Sequence, residues 1–186
     1  MYKINEIFYS LQGEGYWTGN AVIFIRFSGC NKQCSFCDTD FETFKEYSLP
    51  DILGAINNYS SNIIVLTGGE PALQVDQKLI DFLRKYKDRI HIETNGSIDL
   101  FQQFDWITVS PKDKYFHQTK GDELKLLYDG SQDLDWYFNN TNFKHYYLQP
   151  IKNNNYNYNL KEAIKIIKVY PKWKLSLQTH KLINIR

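Results

Sequence analysis

The cysteines of this chain are gathered in one short segment, Cys30-Asn-Lys-Gln-Cys34-Ser-Phe-Cys37, and the sequence contains no others. Three thiols cannot all pair with one another, so a disulfide framework is excluded as the main interpretation. The C-x3-C-x2-C spacing places three thiolates on one loop, where they can surround an iron–sulfur cluster or a zinc ion. Structural zinc takes four protein ligands, and the histidines that could complete such a site are remote in sequence: His91, His117, His145 and His180. A four-iron cluster on three cysteines would leave one iron open to chelate a cofactor.

Polar and glycine-containing motifs follow a series of short apolar runs along the chain. There are seven such motifs, which are, in order, Ser28-Gly29-Cys30, Thr67-Gly-Gly-Glu-Pro71, Glu93-Thr-Asn-Gly96, Ser110-Pro-Lys112, Asp129-Gly130, Gln149-Pro150 and Gln178-Thr-His-Lys181. Any one of them could be an ordinary turn. Seven in order favour an arrangement in which parallel strands deliver ligand-binding side chains at their carboxyl ends.

The apolar runs and the segments between them predict alternating strands and helices. The predicted strands are 21–27, 62–66, 91–92, 106–109, 122–128, 146–148 and 175–177. The predicted helices are 49 to about 59, capped by Ser48, then 74–88 and 160–169. Such alternation implies parallel pairing with right-handed crossovers. The polar stretch 153–159 is interpreted as a solvated loop.

Size and composition limit the class of protein. The 186 residues fit a single domain, 1–186, that is short for a complete eight-fold barrel of about 250 residues. The net charge of +1 comes from mixed signs, so no nucleic-acid partner is expected. The apolar runs fall far short of the ~20 residues that cross a bilayer. Because the N-terminus also lacks a signal-peptide pattern, we expect no membrane association and a cytoplasmic protein.

The cysteine spacing, with Phe36 before the last cysteine, resembles the radical S-adenosylmethionine (radical SAM) superfamily, and Thr67-Gly-Gly-Glu-Pro71 resembles its GGEP motif. The resemblance implies an α/β fold, an abbreviated partial (β/α) barrel of parallel strands with the active site at their C-terminal ends. It also implies a 4Fe-4S cluster on Cys30, Cys34 and Cys37 whose open iron binds SAM. Reductive cleavage of SAM then yields a 5'-deoxyadenosyl radical that takes hydrogen from the substrate.

Motifs near both ends narrow the resemblance to the 7-carboxy-7-deazaguanine synthase family. They are Glu6-Ile-Phe-Tyr-Ser-Leu-Gln-Gly-Glu-Gly-Tyr16, Gly19, Ile23-Phe-Ile-Arg26, Cys37-Asp-Thr39 and Leu175-Ser-Leu-Gln-Thr-His-Lys181. Only the stretch from about 115 to 144 lacks matching motifs. The resemblance implies a lyase that contracts the ring of 6-carboxy-5,6,7,8-tetrahydropterin to 7-carboxy-7-deazaguanine with loss of ammonia, in queuosine and related deazapurine biosynthesis. It further implies assistance by Mg²⁺, an electron donor of the flavodoxin or ferredoxin type, and a homodimer.

The family motifs also assign site residues in this chain. The implied substrate contacts are Leu11, Gln12, Gly13, Glu14, Arg26, Thr67, His180 and the terminal carboxylate of Arg186. The implied SAM contacts are Gly69, Glu70, Glu93, Asn95, Ser110, Pro111, Lys112 and Gln149. Thr39 matches the Mg²⁺ ligand. Gln12 and Glu14 suit the paired donors and acceptors of a pterin edge, and Arg26 offers a fork of donors to the substrate carboxylate. Without the family motifs, Glu14 and Arg26 would be interpreted as an ion pair.

Two other functions remain open from the sequence. A small activase that installs a glycyl radical on a partner protein also uses C-x3-C-x2-C, although the motifs at 12–14 and 178–180 favour the synthase. A binding module held together by structural zinc would contain one zinc ion and would have no turnover. Metal content and product identity distinguish the synthase, the activase and the zinc-binding module.

Overall fold

The computed structural model describes residues 1–37, 40, 42–101 and 103–186. Within them the strands are β1 (Tyr2–Leu11), β2 (Ala21–Phe27), β3 (Lys45–Tyr47), β4 (Ile63–Gly68), β5 (Arg89–Thr94), β6 (Trp106–Val109), β7 (Lys120–Tyr128), β8 (Asn142–Pro150) and β9 (Trp173–Leu175). The helices are α1 (Leu49–Ile56), α2 (Gln77–Leu83), α3 (Leu134–Asn140), α4 (Tyr156–Val169) and α5 (Thr179–Leu182), with a short 3-10 helix at Pro71–Leu73. None of the helices in these ranges is long and apolar enough to cross a membrane.

The strands form a single open sheet in the order β3-β1-β2-β4-β5-β6-β7-β8-β9. Strand β1 pairs antiparallel with β2 and β3, and every other pairing is parallel. The seven parallel strands each overlap one of the predicted apolar runs, the last of them only at Leu175. An open, largely parallel sheet confirms the predicted partial barrel.

The inner face of the sheet carries a continuous row of polar side chains. Arg26 on β2 is opposite Thr67 on β4, whose hydroxyl donates to Glu93 of β5 at 3.0 Å. Glu93 is opposite Thr108 on β6, and Thr108 is opposite Glu123 on β7. Side chains alternate between the two faces along each strand, and these residues are paired with one another across neighbouring strands. All of them therefore lie on the same face of the sheet.

The outer face of the sheet holds the apolar core. One cluster packs β2, β4 and β5 against α1 and α2, and its fully buried members include Ile25, Ile64, Leu66, Ile90, Ile92, Ile52, Ile56, Leu79, Ile80 and Leu83. A second cluster packs β7 and β8 with α3 and α4, and it includes Leu124, Leu126, Tyr137, Leu148 and Ala163. The apolar positions of these two clusters alternate with the polar row, which shares the inner face with a smaller apolar cluster of Phe8, Val22, Phe24 and Val65.

The predicted helices are confirmed with changes at their ends. Ser48 caps α1 in a capping box with Asp51, as the sequence predicts.

The interpretation of 153–159 as a solvated loop was wrong, because α4 begins at Tyr156 and includes Asn159. Asn159 is buried, and its side-chain amide donates to the Ile151 carbonyl at 2.9 Å. That bond lets a polar residue occupy the inner side of the first turn. Strands β1 and β3 and helices α3 and α5 were not predicted.

The bounds of α1 lead to a prediction for Gly54. This glycine is exposed in the middle of the helix, and a Cβ there would meet no heavy atom within 4 Å. Gly54→Ala should therefore raise the free energy of unfolding by about 0.5–1 kcal/mol, because alanine loses less backbone entropy in a helix. Urea denaturation followed by circular dichroism measures the change. Ser48→Ala, which removes the cap, should lower the same quantity by about 1 kcal/mol. Equal stability of all three proteins would contradict the assigned helix.

Candidate active site

A cavity of about 510 Å³ opens at the carboxyl ends of the parallel strands. Most of the predicted site residues line it, namely Leu11, Gln12, Gly13, Glu14, Arg26, Cys30, Cys34, Cys37, Thr67, Gly69, Glu93, Asn95, Ser110, Lys112, Gln149, His180 and Arg186. Glu70 and Pro111 do not line it, and Thr39 lies outside the described residues. The fold thus brings residues from the whole length of the chain to one space.

The cysteine loop forms one wall of the cavity. The backbone N–H of Lys32 donates to Cys30 Sγ at 3.4 Å, and a turn joins the Cys37 N–H to the Cys34 carbonyl at 3.1 Å. Within the described ranges, no three His, Cys, Asp or Glu side chains converge tightly enough to hold one metal ion. The three thiols nevertheless share the cavity wall, and a four-iron cluster is larger than an ion, so its ligands stand further apart. Soft thiolate ligands on one loop suit such a cluster.

The GGEP turn packs backbone to backbone against the cysteine loop. A Cβ on Gly69 would lie 2.1 Å from the Gly29 carbonyl oxygen, and Gly68 has a φ of +135°. The N–H of Gly69 donates to the Phe27 carbonyl at 3.0 Å, and that of Glu70 donates to the Gly29 carbonyl at 2.9 Å. Both glycines are therefore required by the approach of two main chains. This contact sets the distance between the cysteine wall and the rest of the cavity.

Glu70 is fully buried behind this turn. Its carboxylate accepts hydrogen bonds from the Ala72 N–H at 3.0 Å, the Thr94 hydroxyl at 2.7 Å and the Asn95 N–H at 2.6 Å. Burial raises the pKa of Glu70, and the three hydrogen bonds oppose that rise. These hydrogen bonds hold the GGEP turn against the end of β5. The contact of Glu70 with SAM stays a prediction.

The cavity wall at the ends of β5, β6 and β8 is rich in hydrogen-bond donors. Asn95, Ser110 and Lys112 lie at the ends of β5 and β6, and Gln149 lies near the end of β8. Burial lowers the pKa of the Lys112 ammonium. The Gln149 amide oxygen accepts from the Ser176 hydroxyl at 2.8 Å. Amide, hydroxyl and ammonium groups in one wall fit the carboxylate, ribose and adenine of SAM.

Gln12, Thr67 and Glu93 form a hydrogen-bonded chain across the cavity floor. The Gln12 amide donates to Glu93 Oε1 at 2.9 Å, and the Thr67 hydroxyl donates to Glu93 Oε2 at 3.0 Å. The Gln12 amide oxygen in turn accepts from the Glu14 N–H at 3.1 Å. Although the motifs associate Glu93 with SAM, its described partners are the two residues associated with substrate.

Glu14 is held by a residue that the sequence analysis did not assign. The Lys125 ammonium on β7 forms a salt bridge with Glu14 Oε2, and the Gln178 amide donates to Glu14 Oε1 at 2.9 Å. Burial by itself raises the pKa of Glu14, but the charge and hydrogen bond of Lys125 outweigh burial, so this pKa lies below its ordinary value. A signal was present in the sequence: Glu123 and Lys125 alternate with leucines in one strand, which places both on the polar face.

Glu123 lies near this pair, two residues before Lys125 on the same strand. Its carboxylate accepts from the Tyr16 N–H at 3.1 Å, and a Cβ on Gly15 would lie 2.0 Å from its oxygen. Burial raises the pKa of Glu123 to about 7. The Tyr16 ring packs against Trp106 and His145, with ring centroids 4.8 Å and 4.6 Å apart, and these two rings also stack on each other at 5.7 Å. The loop after β1 is therefore anchored by the Glu123 carboxylate and by the aromatic contacts of the half-exposed Tyr16.

Arg26 forms an ion pair, but its partner is Glu6 rather than Glu14. Arg26 Nε donates to Glu6 Oε1 at 2.8 Å, and the Arg186 guanidinium binds the other oxygen of Glu6. The main-chain oxygen of Arg186 accepts from the Ser10 hydroxyl at 2.5 Å. Two guanidinium groups thus share the Glu6 carboxylate at the rim of the cavity.

Comparisons with known proteins agree with this geometry. The Radical SAM superfamily model matches residues 24–113. The chain is 46% identical to the 7-carboxy-7-deazaguanine synthase of Bacteroides thetaiotaomicron, with 100% of both chains covered. It belongs to the 7-carboxy-7-deazaguanine synthase family. The corresponding enzyme of Burkholderia multivorans is 39% identical over 99% of each chain.

The fold of this synthase family member is also similar to a solved structure. A crystal structure of QueE from Escherichia coli matches with a TM-score of 0.81 at 29% identity, covering 96% of this chain and 94% of that chain. This match and the superfamily model confirm the predicted radical SAM fold. Membership in the synthase family also favours the synthase over the activase and the zinc module.

The contact between the GGEP turn and the cysteine loop predicts the effect of adding one methyl group. Gly69→Ala should lower the free energy of unfolding by about 1–3 kcal/mol, because its Cβ meets rigid backbone at Gly29. It should also reduce iron incorporation, because the cysteine loop must move away. Urea denaturation and iron analysis measure the two effects, and Gly54→Ala is the matched control. Normal iron content together with normal stability would contradict the proposed contact.

Proposed function

We propose that this chain is a radical SAM lyase that converts 6-carboxy-5,6,7,8-tetrahydropterin to 7-carboxy-7-deazaguanine with loss of ammonia. The step belongs to the biosynthesis of queuosine and related deazapurines. The observation that carries the proposal is the shared cavity, in which the thiol loop and the recognition residues 12–14 line one space of about 510 Å³. Its support is the full-length similarity to proteins named 7-carboxy-7-deazaguanine synthase.

Cys30, Cys34 and Cys37 would hold a 4Fe-4S cluster. When bound, the cluster and SAM supply the 5'-deoxyadenosyl radical that removes a hydrogen atom from the substrate. The protein's own task is to orient SAM and substrate and to exclude oxygen and bulk water. Asn95, Ser110 and the remaining donors of that wall would orient SAM through its carboxylate, ribose and adenine.

The pterin would lie over the chain of Gln12, Thr67 and Glu93. Gln12 and the ionised Glu14 present acceptors to the amino and amide N–H groups of the ring. Arg26, whose guanidinium lies at the rim of the cavity, would bind the substrate carboxylate through two donors. The His180 ring packs against Gly13, where a Cβ would lie 2.0 Å from its Nδ1, so it closes the recognition loop from above.

Magnesium would bind through Thr39, a hard oxygen donor that leaves room for water and the substrate carboxylate. A flavodoxin- or ferredoxin-like protein would reduce the cluster. Cys37 and Phe36 are exposed beside the cavity, so such a donor could approach the cluster closely. We further propose a cytoplasmic homodimer of single-domain chains, with exposed apolar residues such as Leu182 and Ile183 available for contact.

The proposal is tested by product formation. Anaerobically reconstituted protein, supplied with 6-carboxytetrahydropterin, SAM and dithionite, should form 7-carboxy-7-deazaguanine, detected by mass spectrometry. The protein should be brown and contain roughly four irons per chain. Cys34→Ala should lose the colour and the activity, because two thiolates cannot hold the cluster. Cleavage of SAM without the deazapurine would contradict the proposed reaction.

The role of Thr39 makes a separate prediction. Thr39→Ala should reduce the stimulation of turnover by Mg²⁺ and leave the cluster absorption unchanged, because the hydroxyl would ligate magnesium and not iron. Turnover is measured as a function of Mg²⁺ concentration. Thr119→Ala, at an exposed threonine before β7, is the matched control. An unchanged magnesium dependence in Thr39→Ala would remove Thr39 from the site.

A further inference from the structure

Glu14 owes its orientation to a buried lysine. We propose that Lys125 is a positioning residue of the synthase reaction, which keeps Glu14 ionised and aimed so that Glu14 accepts hydrogen bonds from the N–H groups of the substrate ring. Lys125 would thereby make the site selective for substrates whose ring carries adjacent amino and amide N–H donors. The inference rests on the proposed function and deepens it.

The geometry fixes both oxygens of Glu14. Lys125 lies between Leu124 and Leu126, whose side chains face the helices, so the Lys125 side chain projects into the barrel. The exposed fraction of the side chain is 6% for Lys125 and 16% for Glu14. Lys125 binds Oε2 and Gln178 binds Oε1. A carboxylate has about four lone-pair sites, so both oxygens keep acceptor capacity for substrate.

The charges around Glu14 show why the lysine matters. From the other packed elements, the charges of Lys112 after β6 and His180 of α5 act on Glu14. Glu93 of β5 and Glu123 of β7 line a small pocket together with Glu14, and their charges act on Lys125. The Lys125 ammonium is bonded directly to the Glu14 carboxylate. Glu123 shows the strength of burial here: Lys125 forms its direct salt bridge with Glu14, and although the Lys125 charge and the Tyr16 N–H oppose the rise, burial still raises the pKa of Glu123 to about 7. Without Lys125, burial would raise the pKa of Glu14 and favour its protonated form.

A protonated Glu14 would mismatch the substrate. The neutral acid has an O–H donor in place of one acceptor, whereas the amino and amide groups of the ring are both donors. Donor would face donor in a site closed to water, which costs binding energy. Loss of Lys125 should therefore weaken substrate binding most at low pH, and binding should recover when Glu14 ionises.

The experiment measures kcat and KM for 6-carboxytetrahydropterin under anaerobic conditions across pH. Lys125→Met should raise KM by roughly tenfold at neutral pH, the effect of losing one charge-assisted hydrogen bond. The KM ratio of variant to wild type should fall as pH rises towards about 9, where unpaired buried carboxyls ionise. Lys125→Arg keeps the cation and should retain the wild-type KM and its pH profile. Glu14→Gln should raise KM at every pH.

Two further variants of this chain serve as controls. Lys87 is also a buried lysine, but its ammonium donates to the carbonyls of Tyr59 and Ser61, at 2.8 Å each, outside the cavity. Lys87→Met should therefore leave KM unchanged. The double variant Glu14→Gln/Lys125→Met removes both charges of the ion pair, so neither partner is left without the other, and this protein serves if Lys125→Met does not fold. Its KM should equal that of Glu14→Gln alone.

Three results would overturn the inference: an unchanged KM in Lys125→Met, an increase that is equal at every pH, or a double variant much weaker than Glu14→Gln. The last result would mean that Lys125 contacts substrate directly. Absence of deazapurine from the wild-type protein would contradict the proposed function itself, and this inference would fall with it.

Discussion

The polar interior of the barrel depends on the ion pair between Lys125 and Glu14. Three buried or half-buried carboxylates, Glu14, Glu93 and Glu123, face the interior close to this one lysine. Their charges are accommodated in different ways. Glu14 is paired with the ammonium, Glu93 is bound by Gln12 and Thr67, and Glu123 has a pKa raised to about 7. This division lets a small barrel hold several polar recognition groups where water is scarce.

A second constraint connects this interior to the cysteine loop. The main chains of Gly29 and Gly69 touch, and Glu70 ties the same turn to Thr94 and Asn95. The thiol wall, the GGEP turn and the end of β5 therefore form one rigid unit. Because Glu93 lies in the same strand, the position of the recognition floor is coupled to the position of the cysteines. Such coupling suits a reaction in which a radical must be generated within reach of a bound ring.

The sequence predicted the features that are local or periodic. The parallel strands followed from apolar runs, whereas the cavity residues were assigned through the resemblance to family motifs, several of which lie at strand ends. Strand β1 was missed because its polar residues, including Asn5 and Glu6, interrupt the alternation. The first turn of α4 was missed because the Asn159 side chain is satisfied by a carbonyl eight residues away. The pairing of Glu14 with Lys125 joins residues 111 positions apart, so only the folded topology reveals it.

The same topology explains how a short chain encloses a site. The sheet is open, with β3 and β9 at its edges, so the interior needs a cover that the strands do not supply. The loop after β1 and the segment around α5 provide it together. The Thr179 N–H and hydroxyl both donate to the Gly13 carbonyl at 2.9 Å, and the Gly15 N–H donates to the Ser176 hydroxyl at 3.0 Å. Recognition and closure are thus performed by the same residues, and any change that loosens the loop from Lys125 or α5 also opens the cavity to water.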